Sequence, residues 1–114
     1  MIVVEAALRL ADPAGRDALV AASAPIQQAT RDDEDGCLAY CFAADPVEAD
    51  LIQVYELWTD ETALHAHFDH PNYHAMREML NGAGLASAIS RKLRTDAESP
   101  VYGPDRRPIE GFPG

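Results

Sequence analysis

The chain has 114 residues, of which 47% are hydrophobic and 25% charged, and this composition is typical of one folded domain. Nine Lys and Arg against nineteen Asp and Glu give a formal net charge of −10, and such a surface repels nucleic acid phosphates and anionic lipid headgroups. Glu5 and Arg9 interrupt the N-terminal segment, and no apolar run approaches ~20 residues, so neither a signal peptide nor a membrane span is predicted. We therefore expect a cytoplasmic protein with no nucleic acid or membrane partner.

The N-terminal segment alternates between two faces and is predicted to be a half-buried strand. Asp12 and Pro13 are typical of a helix start, and Pro25 is expected to bend the helix that follows or to end its first part. The acidic run 32–35 and Gly36 predict a solvated turn, to which no chemistry is assigned. The apolar stripe of this helix consists of Leu19, Ala22, Ile26 and Ala29.

Residues 37–43 and 51–58 are predicted to be the second and third strands. The acidic and hydroxyl side chains of residues 59–61 cap the next helix and place negative charge at its positive end. Pro71 divides the helical pattern that follows into two pieces, and the second piece ends at Gly82.

Residues 86–94 are predicted to form a fourth strand. The resulting order, β-α-β-β-α-β, is that of the α+β ferredoxin-like fold, in which an antiparallel sheet carries helices on one face. The opposite face is too apolar for open water, and a short chain buries only a modest fraction of its surface. We therefore expect a homodimer that packs sheet on sheet. The apolar side chains on that opposite face are Val3, Ala7, Leu51, Tyr55 and Leu57.

Residues 1–95 are thus predicted to form the folded domain, and residues 96–114 an irregular C-terminal arm rich in proline and glycine. The apolar side chains of the arm favour contact with a second subunit, and disorder is the alternative. These side chains are Val101, Tyr102, Ile109 and Phe112.

Cys37 and Cys41 lie four residues apart on the predicted second strand. Their Cα atoms would be about 13 Å apart at ~3.3 Å per residue, whereas a disulfide needs less than ~7 Å. No second Cys or His pair stands at the spacing of a zinc site. We therefore expect two reduced core thiols.

Four histidines fall within ten residues, at His65, His67, His70 and His74. A metal site is disfavoured because His65 and His67 point about 200° apart around a helix axis, and Pro71 places His70 at a helix start. No acidic residue completes an HExxH-like set, and no nucleotide or flavin motif is present. We expect neither a metal nor a cofactor.

His67 lies on the apolar face of its helix, where it is either a core histidine bonded to a backbone carbonyl or a proton acceptor in a pocket. Glu56 faces the helices among apolar neighbours and needs a partner, which Arg77, Arg91 or His67 could supply, in a structural ion pair or in a catalytic role. Trp58 is either core filling or a pocket wall. The remaining candidates for a substrate-binding pocket lining are Tyr40, Tyr73, Met76 and Arg77.

Two segments of the sequence contain motifs that are typical of one protein family. Residues 30–40 contain an acidic residue followed by Gly36, Cys37 and Tyr40, and residues 55–67 contain Glu-x-Trp followed by Ala-Leu-x-x-His. Together with the first strand, these segments resemble the antibiotic biosynthesis monooxygenase family, in particular its quinol monooxygenase-like members, over about residues 2–94. The resemblance implies a ferredoxin-like dimeric α+β barrel. In the enzymatic branches of the family it implies oxygenation of quinols or polycyclic phenols without metal or flavin.

In such an enzyme, His67, oriented by Glu56, would accept the phenolic proton, while Trp58 and Tyr40 would enclose the ring. Heme-degrading relatives use an Asn on the first strand, which is missing here, so heme degradation is disfavoured. The function expected from the resemblance is cofactor-independent oxidation of a quinol or polyphenolic molecule with O₂. The alternative is a non-catalytic dimeric barrel that binds a small aromatic ligand or acts in a stress response.

Overall fold

The computed structural model describes residues 1–113, which contain four strands and three α-helices. The order β-α-β-β-α-α-β confirms the α+β ferredoxin-like fold, with the second helical region in two pieces as predicted. No helix within residues 1–113 is long and apolar enough to cross a membrane. The elements are β1 (Ile2–Leu10), α1 (Arg16–Asp33), β2 (Cys37–Ala44), β3 (Leu51–Trp58), α2 (Glu61–Phe68), α3 (Pro71–Gly82) and β4 (Leu85–Arg94).

The four strands form one antiparallel sheet in the spatial order β2-β3-β1-β4. One row of paired residues crosses the whole sheet: Tyr40 is opposite Glu56, Glu56 is opposite Val4, and Val4 is opposite Lys92. Directly opposed residues of antiparallel strands point to the same face. Because Tyr40 and Glu56 are buried beneath the helices, the row faces the helices along its whole length.

The hydrophobic core lies between this helix-facing side of the sheet and the helices. The opposite side is partly exposed: Tyr55, Ile89 and Leu93 there have exposed fractions of 46%, 73% and 40%, whereas Leu51 at its end is buried. The buried core consists of Ile2, Leu8, Tyr40, Phe42, Ile52, Val54, Trp58, Leu64 and Met76.

The first α-helix begins at Arg16, four residues after the predicted cap Asp12, and continues through Pro25. Asp12 caps a short 3-10 turn, Pro13–Gly15, and α1 follows from Arg16. Of the two outcomes expected at Pro25, a bend or an end of the first part of the helix, the end does not occur, because α1 is continuous from Arg16 to Asp33. Pro25 and Ala21, whose carbonyl loses its helical donor, are both exposed, so water can bond to that carbonyl.

The fully buried side chains of α1 are polar, whereas Leu19 and Ile26 of the predicted apolar stripe are half-buried and pack against the core. The buried polar side chains are Ser23, Gln27 and Thr30, whereas Ala22 of the stripe is exposed. The physical reason is that α1 packs along the outer edge of β2. Gln27 bonds to both the N–H and the C=O of Phe42 there, at 3.0 and 3.1 Å.

Both cysteines are free, as expected, and each is half-buried, with Cys37 packed against the core. Cys41 is paired with Tyr55 on the side of the sheet that faces away from the helices. The expectation of a core thiol is therefore wrong for Cys41, because the alternation of β2 directs its side chain away from the helices.

Regular elements end at Arg94, and within residues 95–113 the arm has one isolated bridge, between Tyr102 and Pro108. Val101, Tyr102 and Phe112 are exposed, and Ile109 is half-buried. The contact of the arm with a second subunit stays a prediction. Gly114, the last residue of the predicted arm, lies outside the described residues.

Candidate functional site

A cavity of about 640 Å³ lies between the helix-facing side of the sheet and α3. Small side chains form its floor, with Ala6 on β1 and Ala88 and Ser90 on β4. Because these side chains are short, the space between the sheet and α3 is left unfilled. The volume falls in the range of ligand pockets, about 300–1,000 Å³, and is sufficient for an aromatic molecule of two or three rings.

His67 on α2 lines the cavity and is almost fully buried. Its Nδ1 lies 2.7 Å from Oε1 of Glu34. A carboxylate only accepts, so Nδ1 carries the hydrogen in the neutral ring and Nε2 is left with a free lone pair. Nε2 has no hydrogen-bond partner among residues 1–113, whereas every fully buried side-chain N or O atom there has one, so Nε2 is reachable from the cavity.

Glu34 is the functional residue that the sequence analysis missed. Its side chain is only 7% exposed, although it belongs to an acidic run that was predicted to be a solvated turn. Its second oxygen, Oε2, accepts from Nδ2 of Asn72 at 3.2 Å. A Cβ at Gly36 would collide with Ala63 on α2, so glycine at this position lets the turn pack directly against α2 and brings Glu34 to His67.

Glu56 does not orient His67, and this expectation is wrong. Its Oε1 accepts a hydrogen bond from Nε1 of Trp58 at 3.0 Å, so two residues on the same face of β3 partner each other. Arg77 and Arg91 do not bond to Glu56 either, since their side chains are bound to other residues. Glu56 is therefore a buried carboxyl group without a cation beside it, and it lines the cavity.

The two titratable groups in the cavity have pKa values shifted in opposite directions. Burial raises the pKa of Glu56 to about 7; the negative charge of Glu34 adds to this effect, and the Trp58 N–H opposes it. Burial lowers the pKa of His67, while the hydrogen bond and charge of Glu34 oppose that change. Near neutral pH the cavity thus holds a neutral imidazole and a carboxyl group that is protonated in a large fraction of molecules.

Trp58 does not line the cavity, which corrects its assignment as a pocket wall. It is fully buried, and its ring packs against His67 with centroids 4.5 Å apart. Trp58 follows Glu56 by two residues on β3, beyond the end of the cavity, and it supports the imidazole from behind. The other proposed lining residues, Tyr40, Tyr73, Met76 and Arg77, all line the cavity.

Of the remaining histidines, His70 lies beside this centre, with its Nδ1 3.9 Å from Oε2 of Glu34. His65 and His74 are exposed, and Nδ1 of His70 caps α3 by accepting from the backbone N–H of Asn72. Among residues 1–113, no group of three or more His, Cys, Asp or Glu is arranged to hold a metal ion.

The fold and the site together define a class: a ferredoxin-like α+β domain with an aromatic-lined cavity between its single sheet and its helices, and with a buried histidine in the cavity wall. The family model of antibiotic biosynthesis monooxygenases matches residues 1–79. The chain belongs to the antibiotic biosynthesis monooxygenase family, which associates it at the family level with monooxygenases. A search of curated proteins found no match.

Several solved structures share the fold. A candidate antibiotic biosynthesis monooxygenase from Deinococcus radiodurans superposes with a TM-score of 0.74 at 23% identity, covering 90% of this chain and 100% of that chain. A second such candidate, from Caulobacter crescentus, gives a TM-score of 0.72 at 18% identity and covers 83% of this chain and 90% of its own. A protein from Mycobacterium tuberculosis gives 0.71 at 23% identity, over 88% of this chain and 100% of its own. At these identities the likeness establishes the fold.

Proposed function

We propose that this protein is a cofactor-independent monooxygenase that oxidises a quinol or polyphenolic small molecule with O₂ in the cavity. The observation that carries the proposal is the His67 imidazole, held at Nδ1 by Glu34, whose Nε2 is reachable from the cavity. A phenol suits such a site, because its ring fits apolar walls and its hydroxyl supplies a proton that Nε2 can accept.

Aromatic side chains around His67 favour a flat substrate. The rings of Tyr40 and Tyr73 lie edge-on to the imidazole, with centroids 5.6 and 5.4 Å away. A substrate ring beside Nε2 would contact these rings and Met76. Burial raises the pKa of Tyr40, so its hydroxyl stays protonated and can donate to an oxygen of the substrate.

The proposed reaction begins when His67 accepts the phenolic proton. The resulting phenolate passes one electron to O₂, and the two radicals combine through a new C–O bond to give a peroxide anion, which takes the proton back from His67 and becomes a hydroperoxide. His67 then accepts the proton on that carbon as the O–O bond breaks, the departing hydroxide takes a proton from Glu56 to become water, and transfer of the proton from His67 to Glu56 restores both groups. In total, a quinol and O₂ give a hydroxyquinone and water.

Glu56 is the proposed source of the proton for the departing hydroxide. It lines the same cavity as His67, and its pKa of about 7 keeps the acid form populated at neutral pH. His67 is thus a neutral base and Glu56 a neutral acid in the same cavity. Such a pair can both accept a proton from the substrate and donate one to it.

The proposed active form is a homodimer packed sheet on sheet. Its interface would cover Tyr55, Ile89 and Leu93 on the side of the sheet opposite the cavity. The cavity would therefore remain accessible in each subunit.

The second candidate is a non-catalytic barrel that holds a small aromatic ligand. It is favoured by the exposure of β4, whose residues from Ala86 to Arg94 are all exposed. Oxygen chemistry on a phenolate benefits from exclusion of water, whereas simple binding does not require it.

Oxygen uptake distinguishes the two candidates. We expect the protein to increase O₂ consumption above the autoxidation rate for members of a panel that includes 1,4-dihydroxynaphthalene and anthrone, without any effect of EDTA. With ¹⁸O₂, mass spectrometry should find one labelled atom in each product molecule. A ligand that raises the melting temperature without oxygen uptake by any panel member would instead support the binding protein.

A further inference from the structure

Within residues 1–95, most Lys and Arg side chains are paired, and the two that lack an acidic or carbonyl partner both line the cavity. Within residues 1–95, Arg77 and Lys92 have no carboxylate within 4.0 Å and no backbone carbonyl partner, and both line the cavity. The remaining basic residues of this region bond to acidic side chains or to backbone carbonyls: Arg9, Arg16, Arg31, Arg91 and Arg94.

These two cations come from opposite walls. Arg77 lies on α3, where its Nη1 is 3.4 Å from the Tyr73 hydroxyl, and Lys92 lies on β4 on the side of the sheet that faces the helices. With nineteen acidic residues in the chain, a solvated cation has many possible partners. Two unpaired cations at one cavity create a local field opposite in sign to that of the whole protein, and such a field attracts an anion.

The row of paired residues from Tyr40 to Lys92 crosses the cavity. It therefore gives the distance between the end at His67, where the reaction is proposed, and the end at Lys92. Lys92 and Glu56 are separated by one strand, β1, so their backbones are about 10 Å apart at the usual strand spacing of about 4.8 Å. Tyr40, which contacts His67, lies one strand further on. A molecule of two fused rings with a carboxylate at the end remote from its hydroxyl spans most of the ~10 Å between Lys92 and Glu56.

We propose that the cavity selects phenols or quinols that carry a carboxylate at the end remote from the reacting hydroxyl. The hydroxyl lies at His67 and Tyr40, and the carboxylate is held by Arg77 and Lys92. This inference rests on the proposed function, because it assigns the substrate class of the same cavity.

A binding series tests the inference without relying on turnover. The probes are 6-hydroxy-2-naphthoate, its methyl ester and 2-naphthol, which differ in charge at the end remote from the hydroxyl. We expect calorimetry at low salt to give about tenfold tighter binding of the carboxylate than of the two neutral probes, since hydrogen bonds to charged groups are the stronger class. The preference should shrink when the ionic strength is raised.

The double variant Arg77→Gln/Lys92→Gln should bind all three probes alike, and the matched control Arg94→Gln should retain the preference. Arg94 is exposed and pairs with Glu61 outside the cavity. Equal binding of the three probes to the native protein would overturn the inference, as would a preference that survives in the double variant or the binding of no probe. Oxygen uptake with neutral quinols by the same preparation would still support the proposed function, so the two failures can be distinguished.

Discussion

The hydrogen bond between Glu34 and His67 determines which imidazole nitrogen faces the cavity. Because Nδ1 donates to the carboxylate, Nε2 carries the lone pair. Asn72 holds the other carboxylate oxygen, so the carboxylate is fixed from two sides. Glu34 is thus a positioning residue, which acts on the substrate through His67.

Glu34→Gln should lower the pKa of His67. The carboxylate raises that pKa against the effect of burial, and an amide of the same shape removes the charge. NMR titration of the His67 ring nitrogens measures this change directly, and the acid limb of the pH–rate profile should move to lower pH with it. Asp33→Asn, an exposed neighbour in the same acidic run, is the control. An unchanged His67 titration in Glu34→Gln would contradict the assigned role.

Glu56→Gln should stabilise the protein at alkaline pH. The folded-state pKa of about 7 lies above the ordinary value of 4.5, so the folded protein retains a proton that the unfolded chain loses. As the pH rises from 4.5 to about 7, the free energy of unfolding of the native protein therefore falls. The contribution of Glu56 to this fall is on the order of 3 kcal/mol, and there is no further loss from Glu56 above that range.

Urea unfolding at pH 5 and pH 8 checks this prediction. The advantage of Glu56→Gln over the native protein should grow between these values, because Gln is neutral at both and still accepts from Trp58. The exposed Glu78→Gln variant should show no such growth. A constant difference between native protein and Glu56→Gln would show that the carboxyl group ionises normally.

At the scale of elements, α1 covers the outer edge of β2 with side-chain hydrogen bonds. Gln27 bonds to the backbone of Phe42, and Nε of Arg31 donates to the carbonyl of Tyr40 at 2.8 Å. Gln27 and Arg31, four residues apart on α1, thus bond to the backbone of Phe42 and Tyr40, two residues apart on β2. An edge strand whose polar groups are satisfied in this way is not available for pairing with another chain.

Gln27→Ala should lower the free energy of unfolding by about 3 kcal/mol, because it leaves the buried N–H and C=O of Phe42 without partners. Gln28→Ala, one residue along on the exposed side of α1, should cost less than about 0.5 kcal/mol. Chemical denaturation of both variants measures the difference. Equal losses in the two variants would mean that the hydrogen bonds from Gln27 to β2 contribute little to the free energy of unfolding.

The strands and the two-piece helical region could be predicted from the sequence, because alternation, prolines and caps are local signals. The buried polar side chains of α1 could not, since Gln27 bonds to a residue 15 positions away on β2 and no local pattern indicates such a bond. Glu34 is separated from His67 by 33 residues, and an acidic run gives no sign that one member is buried. The close approach at Gly36 was the available signal, although its meaning depends on Ala63, which only the fold brings near.

For the whole molecule, the solvent-exposed side of the sheet predicts a dimer. Tyr55→Asp should give a monomer, because it would place an unpaired charge in a dry interface. Val47→Asp, at a loop position that is 87% exposed, should leave the dimer intact. Light scattering at micromolar concentration measures the mass, and a native protein of monomeric mass would contradict the sheet-on-sheet assembly.

The most direct test of the account is the rate of O₂ uptake by His67→Ala with a quinol that the native protein oxidises. Loss of a general base typically lowers the rate by about 10²–10⁴-fold, so we expect a reduction in this range while melting temperature and mass show that the variant is folded and assembled. His65→Ala, an exposed histidine on the same helix, should retain the native rate. Uptake by His67→Ala at the native rate would contradict the assignment of His67 as the proton acceptor.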